Sequence, residues 1–107
     1  MKLIYIAAPY SQGDPIINIR NAVMAADKLL ELGYLPFIPH LTGFWHLLSP
    51  KPYKTWMAID REMLRRCDAV LRLDGLSPGA DKEVVFAEEL GLNVYYSIEE
   101  LSKWLEV

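Results

Sequence analysis

Leu3-Ile4-Tyr5-Ile6-Ala7-Ala8 is an unbroken apolar run, and Asp14-Pro15 follows it across a loop at Pro9 to Gly13. A short run without alternation fits a strand covered on both faces. Asp14 and Pro15 read as the cap and first position of a helix. From Ile19 the apolar residues recur as Ala22, Val23, Ala26, Leu29 and Leu30, which is helical spacing. Gly33 stops that helix, and Leu35 to Ile38 is a second short strand, weakened by Pro36. The opening of the chain is therefore a βαβ unit.

The same alternation continues. Pro39 to Pro52 has no clean period and holds both histidines, Gly43 and Trp45. A long irregular segment in a small domain is often a binding loop or lid. A helix is expected over about Tyr53 to Arg66, with Trp56, Ile59, Met63 and Leu64 on its inner face. Ala69 to Leu73 reads as a third strand and Asp74 to Ala80 as a loop. Asp81 to Leu90 reads as a helix stopped by Gly91, and Val94 to Tyr96 as a fourth strand. Ser97-Ile98-Glu99-Glu100 is a capping box that opens a last helix through Trp104. The order βαβαβαβα implies a parallel sheet with right-handed crossovers. The expected class is α/β, a flavodoxin-like three-layer sandwich of about four strands in the order 2-1-3-4. One domain over residues 1–107 is expected, without repeats or linkers.

Composition narrows the function. Apolar residues make up 52% of the 107 and charged residues 23%, so disorder is excluded. Eleven basic residues stand against 14 acidic, a net charge of −3. A general nucleic-acid binder carries a basic excess, so that role is disfavoured. No apolar run approaches the roughly 20 residues of a membrane span. The apolar start is too brief for a secretory signal and runs into a turn and helix. Cys67 is the lone cysteine and suits a reducing compartment. A soluble cytoplasmic protein is the expectation.

In such a sheet, ligands bind beyond the carboxyl ends of the strands where the order reverses. Here that point lies between the first and third strands, flanked by the loops Ala7 to Asp14 and Asp74 to Ala80. Familiar motifs are missing: GxGxxG after the first strand, GxxxxGK[ST], GxSxG, and acids at the end of the first strand. His40 and His46 have no adjoining ligand pair, so packing or hydrogen bonding suits them better than a metal. Cys67 fits small-apolar packing. Carboxylates remain. Glu83 is read in the first turn of the helix at the crevice, where partial positive charge favours its ionised form. Asp60, on the preceding helix, can share the work if it reaches the same crevice: one acid ionised, the other holding a proton. Acids in a first turn also cap helices, and mid-helix acids usually face water, so spacing alone does not choose. Trp45 and Trp56 suit a planar base by stacking, and equally suit packing.

Taken together, these residues resemble the nucleoside 2-deoxyribosyltransferase superfamily, which includes the deoxynucleoside 5′-monophosphate N-glycosidases. The resemblance rests on Ile4-Tyr5, on Gly33 through Pro39-His40, and on Trp56-Met57-Ala58-Ile59-Asp60. It rests too on Cys67-Asp68-Ala69-Val70 and on Gly79-Ala80-Asp81-Lys82-Glu83 with Ala87 and Gly91. It runs from the N-terminus to about Tyr95. It implies Glu83 as nucleophile at the anomeric carbon, Asp60 as sugar or base contact and proton relay, and Tyr5 as the hydroxyl that orients Glu83. It implies substrate contacts at Ala7, Ala8, Pro9, His40, Trp56, Ser77 and Gly79. Ser77 stands where the transferases place an acid for the 5′-hydroxyl and the monophosphate hydrolases a serine, which tilts toward a 5′-monophosphate. Two departures stand out. The first loop has no basic residue, and Asp81 replaces a frequent glycine. The implied activity is cleavage of the N-glycosidic bond of a (deoxy)nucleoside or its monophosphate, by hydrolysis or base exchange. No metal or organic cofactor is needed. A non-catalytic nucleotide-binding or sensing module and a structural partner domain are the alternatives. The many large apolar groups also suggest a homo-oligomer.

Overall fold

A computed structural model describes residues 1–105. The elements are β1 (Leu3–Ala7), α1 (Pro15–Glu31), β2 (Leu35–Phe37), a 3₁₀ turn (Pro39–Leu41), α2 (Thr42–Leu48), α3 (Tyr53–Arg66), β3 (Ala69–Arg72), α4 (Pro78–Glu89), β4 (Asn93–Tyr95) and α5 (Ile98–Leu105). The four strands are parallel in the order β2-β1-β3-β4. Helices cover both faces, which is the expected flavodoxin-like sandwich.

Side chains of a strand alternate between faces. Ile4, Ile6, Ala69 and Leu71 pack with α1 and α5, whose Ala22, Leu29 and Leu101 are buried with them. Tyr5, Ala7 and Val70 face the other way, against Leu64 of α3 and Ala80 and Ala87 of α4. Each large apolar side chain so buried contributes about 1.5–3 kcal/mol. Cys67 belongs to this second core, and burial, with a lesser push from Asp68, raises its thiol to about 12. It is a packing residue, as expected. Pro36 is tolerated because β2 is an edge strand that pairs only with β1.

Caps account for the helix starts. The Asp14 carboxylate accepts from the amides of Ile16 and Ile17, ahead of Pro15. Gly33 lies just past the C-cap of α1 at φ +90°, which only glycine adopts cheaply. Ser97 accepts from the Glu100 amide at 3.1 Å, and the Glu100 carboxylate reaches back to the Tyr96 amide.

Three readings are corrected. The segment Pro39 to Pro52 is not irregular throughout: it contains the 3₁₀ turn and α2. Its helix is short and has no buried residue, so its sequence carries no apolar period. The fourth strand starts one residue earlier, at Asn93, and the third ends at Arg72. Finally, α4 opens at Pro78, not Asp81, because Ser77-Pro78 repeats the cap-and-proline pattern of Asp14-Pro15.

Candidate active site

The α3/α4 face of the sheet brings together three residues remote in sequence. Tyr5 comes from the centre of β1, Asp60 from α3 and Glu83 from α4. The Tyr5 hydroxyl donates to Glu83 Oε2 in a short hydrogen bond. Tyr5 is fully buried, and burial, then the charges of Glu83 and Asp60, drive its pKa far upward. It stays protonated and acts only as a donor.

Both acids are held partly out of water. Burial raises Glu83 to about 7; the Tyr5 hydrogen bond opposes this, Asp60 adds to it, and Arg72 opposes it. Burial raises Asp60 to about 6. Asp60 Oδ1 is buried and has no hydrogen-bond partner among the described residues. A lone pair left bare in a polar site is costly unless a ligand donor meets it.

Glu83 therefore differs from its reading in one respect. With α4 starting at Pro78, Glu83 lies in the second turn, beyond the reach of the helix-terminal field. Its carboxyl is biased toward the protonated form, and desolvation outweighs every favourable contact.

This has a consequence for stability. Both carboxyls have native pKa values above their ordinary 4.5 and 3.8. Such groups stabilise the native state below pH 4, and that contribution is lost as pH rises through about 7. Glu83→Gln removes the Glu83 share. The variant is expected to match the wild type at pH 4 and to exceed it at pH 8 by about 2 kcal/mol, or roughly 8 °C in Tm. Thermal melts at the two pH values check this; a difference independent of pH counts against a buried Glu83 carboxylate.

The other predicted residues lie at and just past the end of β1, in the 3₁₀ turn after β2, on α3 and at the start of α4, with Ala8 packed in the α1 core. His40 is buried, and its Nε2 lies 2.9 Å from the Pro9 carbonyl. A carbonyl only accepts, so Nε2 carries the proton. Burial lowers the His40 pKa, against the Pro9 and Ala8 carbonyls, so the ring is neutral. His40 thus fixes the first loop where Ala7, Ala8 and Pro9 end β1. Trp56 is mostly buried on α3, one turn before Asp60. Its indole N–H donates to His46 Nδ1 at 2.8 Å, and its ring meets Trp45 edge-on at 5.2 Å. The Lys51 amide also donates to that nitrogen. Trp45 and His46 lie on α2, which is thereby fastened to α3. Ser77 is buried and accepts from the Ala80 amide at 3.1 Å as the cap of α4. Gly79 is exposed, with open space where a Cβ would stand.

Two surface hollows lie beside this constellation rather than in it. One, of about 330 Å³, lies on the α1 side and includes Ala8, Pro9, Asn18, Lys28 and Asp74. The other, of about 440 Å³, runs between α3 and α4 past Arg61, Asp81 and Phe86. The paired acids, with an unmet carboxylate oxygen, mark the chemistry better than hollow size does.

Comparison with known proteins follows this geometry. The family model of a domain of unknown function, DUF7768, matches residues 2–97. The chain belongs to the DUF7768 family. No curated protein matches it. Among solved structures, this DUF7768 chain resembles a 2-deoxyribosyltransferase from the psychrotolerant bacterium Bacillus psychrosaccharolyticus. The TM-score is 0.65 at 19% identity, over 90% of this chain and 75% of that one. It also resembles a 2-deoxyribosyltransferase from Leishmania mexicana, with a TM-score of 0.68 at 20% identity. That match covers 88% of this chain and 62% of the Leishmania protein, so the DUF7768 chain spans under two-thirds of its length. What the chain shares with these two structures is the fold. No helix among the described residues is long and apolar enough to cross a membrane.

One residue of the DUF7768 site escaped the sequence reading. Arg72 ends β3 and is 8% exposed. Its signal was present: a charge inside the apolar run Ala69-Val70-Leu71-Arg72-Leu73, at the carboxyl end of a strand. It forms an ion pair at 3.0 Å with Asp81 in the first turn of α4.

Proposed function

We propose that this chain is an N-glycosidase that cleaves the base from a (deoxy)nucleoside or its 5′-monophosphate through a glycosyl-enzyme on Glu83. The carrying observation is the half-buried carboxylate pair: Glu83 hydrogen-bonded by Tyr5, near an Asp60 whose Oδ1 lacks a partner among the described residues. Glu83 attacks the anomeric carbon as the C–N bond breaks. The bonding pair leaves with the base, which takes a proton from Asp60. Charge on the oxocarbenium-like sugar is met by the Glu83 carboxylate. Asp60, now ionised, takes a proton from water as the water attacks the anomeric carbon and frees Glu83; a second base in place of water gives transfer. These steps need no metal or organic cofactor. Ser77 and Gly79 would receive the 5′ substituent, and the Trp45–Trp56 pair would border the base.

In this reading α2 is the lid. It carries no buried residue and is fastened chiefly through Trp45 and His46 to Trp56. Its Phe44, Leu47 and Leu48 are exposed, which supports self-association as part of the proposal. Light scattering is expected to give a multiple of 12.3 kDa; a monomer at working concentration removes that part.

The deciding experiment is incubation with a panel of ribo- and deoxyribonucleosides and their monophosphates, with chromatography of free base. Base release from at least one member is expected. A folded sample that releases none, and shows no sugar adduct by intact mass, overturns the reading. Tight nucleotide binding that survives Glu83→Ala, without turnover, selects a binding module instead.

A further inference from the structure

Arg72 is the only charged residue in the four strands. By strand alternation it faces the same side as Val70 and Tyr5. Its guanidinium donates to the Leu73 carbonyl, to the Gly75 carbonyl at 2.9 Å and to Asp81 Oδ1 at 3.0 Å. These contacts join the β3–α4 turn to α4 two residues before Glu83. The turn in turn rests on the first loop. Gly75 has φ +117°, and a Cβ there would lie 2.9 Å from Pro9 Cγ. Pro9 is itself held by His40. One cation therefore underlies both loops at the switch point.

We propose that Arg72 is the positioning residue of this site: it ties the β3–α4 turn to α4 at Asp81, two residues before Glu83, and places its positive charge on the face of the sheet that carries Tyr5 and Glu83. This rests on the reading of Glu83 as nucleophile. The groups that bear on Glu83 are Tyr5 from β1, Asp60 from α3 and Arg72 from β3; Asp81, on α4 itself, pairs with Arg72 and offsets its charge. Arg72 acts through Glu83 and the turn, not on the sugar.

A strut and a charge make different predictions. If Arg72 only braced the turn, Arg72→Gln and Asp81→Asn would loosen the same joint and disturb Glu83 alike. As a charge, they act oppositely. Arg72→Gln removes the favourable cation, and Asp81→Asn removes the anion that offsets it. The experiment is a carbon-detected NMR titration of the Glu83 carboxyl in the full chain without ligand. Arg72→Gln is expected to raise the midpoint by at least about half a pH unit. Asp81→Asn is expected to lower it, and Arg72→Lys, which keeps the charge, to leave it near the wild-type value. Shifts of one sign in the Gln and Asn variants, or no shift in either, overturn the proposal. Should Arg72→Gln fail to fold, Asp81→Asn decides: a fall supports it, and a rise or no change overturns it. The titration needs no turnover, so its result stands apart from the panel assay that tests the activity.

Discussion

Glu83→Gln is expected to lower base release by about three orders of magnitude or more, because the amide cannot form the glycosyl ester on which both half-reactions depend. The glutamine keeps the size of the side chain and can still accept from Tyr5, so the loss reports chemistry rather than packing. The measurement pairs steady-state release of base with intact mass after quenching. The wild type is expected to carry a sugar adduct on Glu83, and the variant none. A variant within tenfold of the wild type would remove Glu83 from the mechanism. Because the variant is also expected to be the more stable protein at pH 8, instability cannot account for the loss.

For Asp60→Asn the expected change is in both rate and pH dependence. The wild-type pair holds one proton between about pH 6 and pH 7, the values toward which burial pushes Asp60 and Glu83. Cleavage needs Glu83 ionised and the proton on Asp60, the less populated of the two one-proton forms because Glu83 is the weaker acid. That form still rises and falls with the singly protonated pair, so kcat/KM should follow a bell with its maximum in that interval. Its limbs belong to the pair rather than to either residue. Asparagine cannot deliver the proton, and a loss of about a hundredfold is expected. The alkaline limb should vanish. The remaining rise should move below about 7, because the Asp60 charge no longer opposes ionisation of Glu83. A pH–rate series on both proteins checks this. An unchanged bell in the variant would assign the proton to another group.

Much of this arrangement was legible in the chain. The run Leu3 to Ala8, the cap at Asp14-Pro15 and the stop at Gly33 report local preferences that tertiary packing reinforces, and the sheet order followed from them. Asp60 and Glu83 are candidates from the sequence, but only the fold brings them close enough, across 23 positions of sequence, for each charge to bear on the other. The setting of Glu83 differs from its reading, because α4 starts three residues earlier and leaves the carboxyl beyond the helix field. Desolvation, which no local pattern reports, then governs the carboxyl. Arg72 was overlooked because a charge in a strand draws meaning from its partners, and Gly75 and Asp81 become partners only when the turn folds back. The helix α2 was hidden for the opposite reason: with nothing buried, it leaves no period to read.

β1 lies in the middle of the sheet, yet both strands that flank it come later in the chain, and Tyr5 meets Glu83 only across 78 positions. On the ribosome, one edge of the first strand can pair with β2 early, but its other edge waits for β3 and its tyrosine for α4. A nascent chain that stops short of α4 holds the Tyr5 hydroxyl without the carboxylate it binds. In the proposed reading, turnover therefore requires α4 in place, and products terminated before it are expected to be inactive.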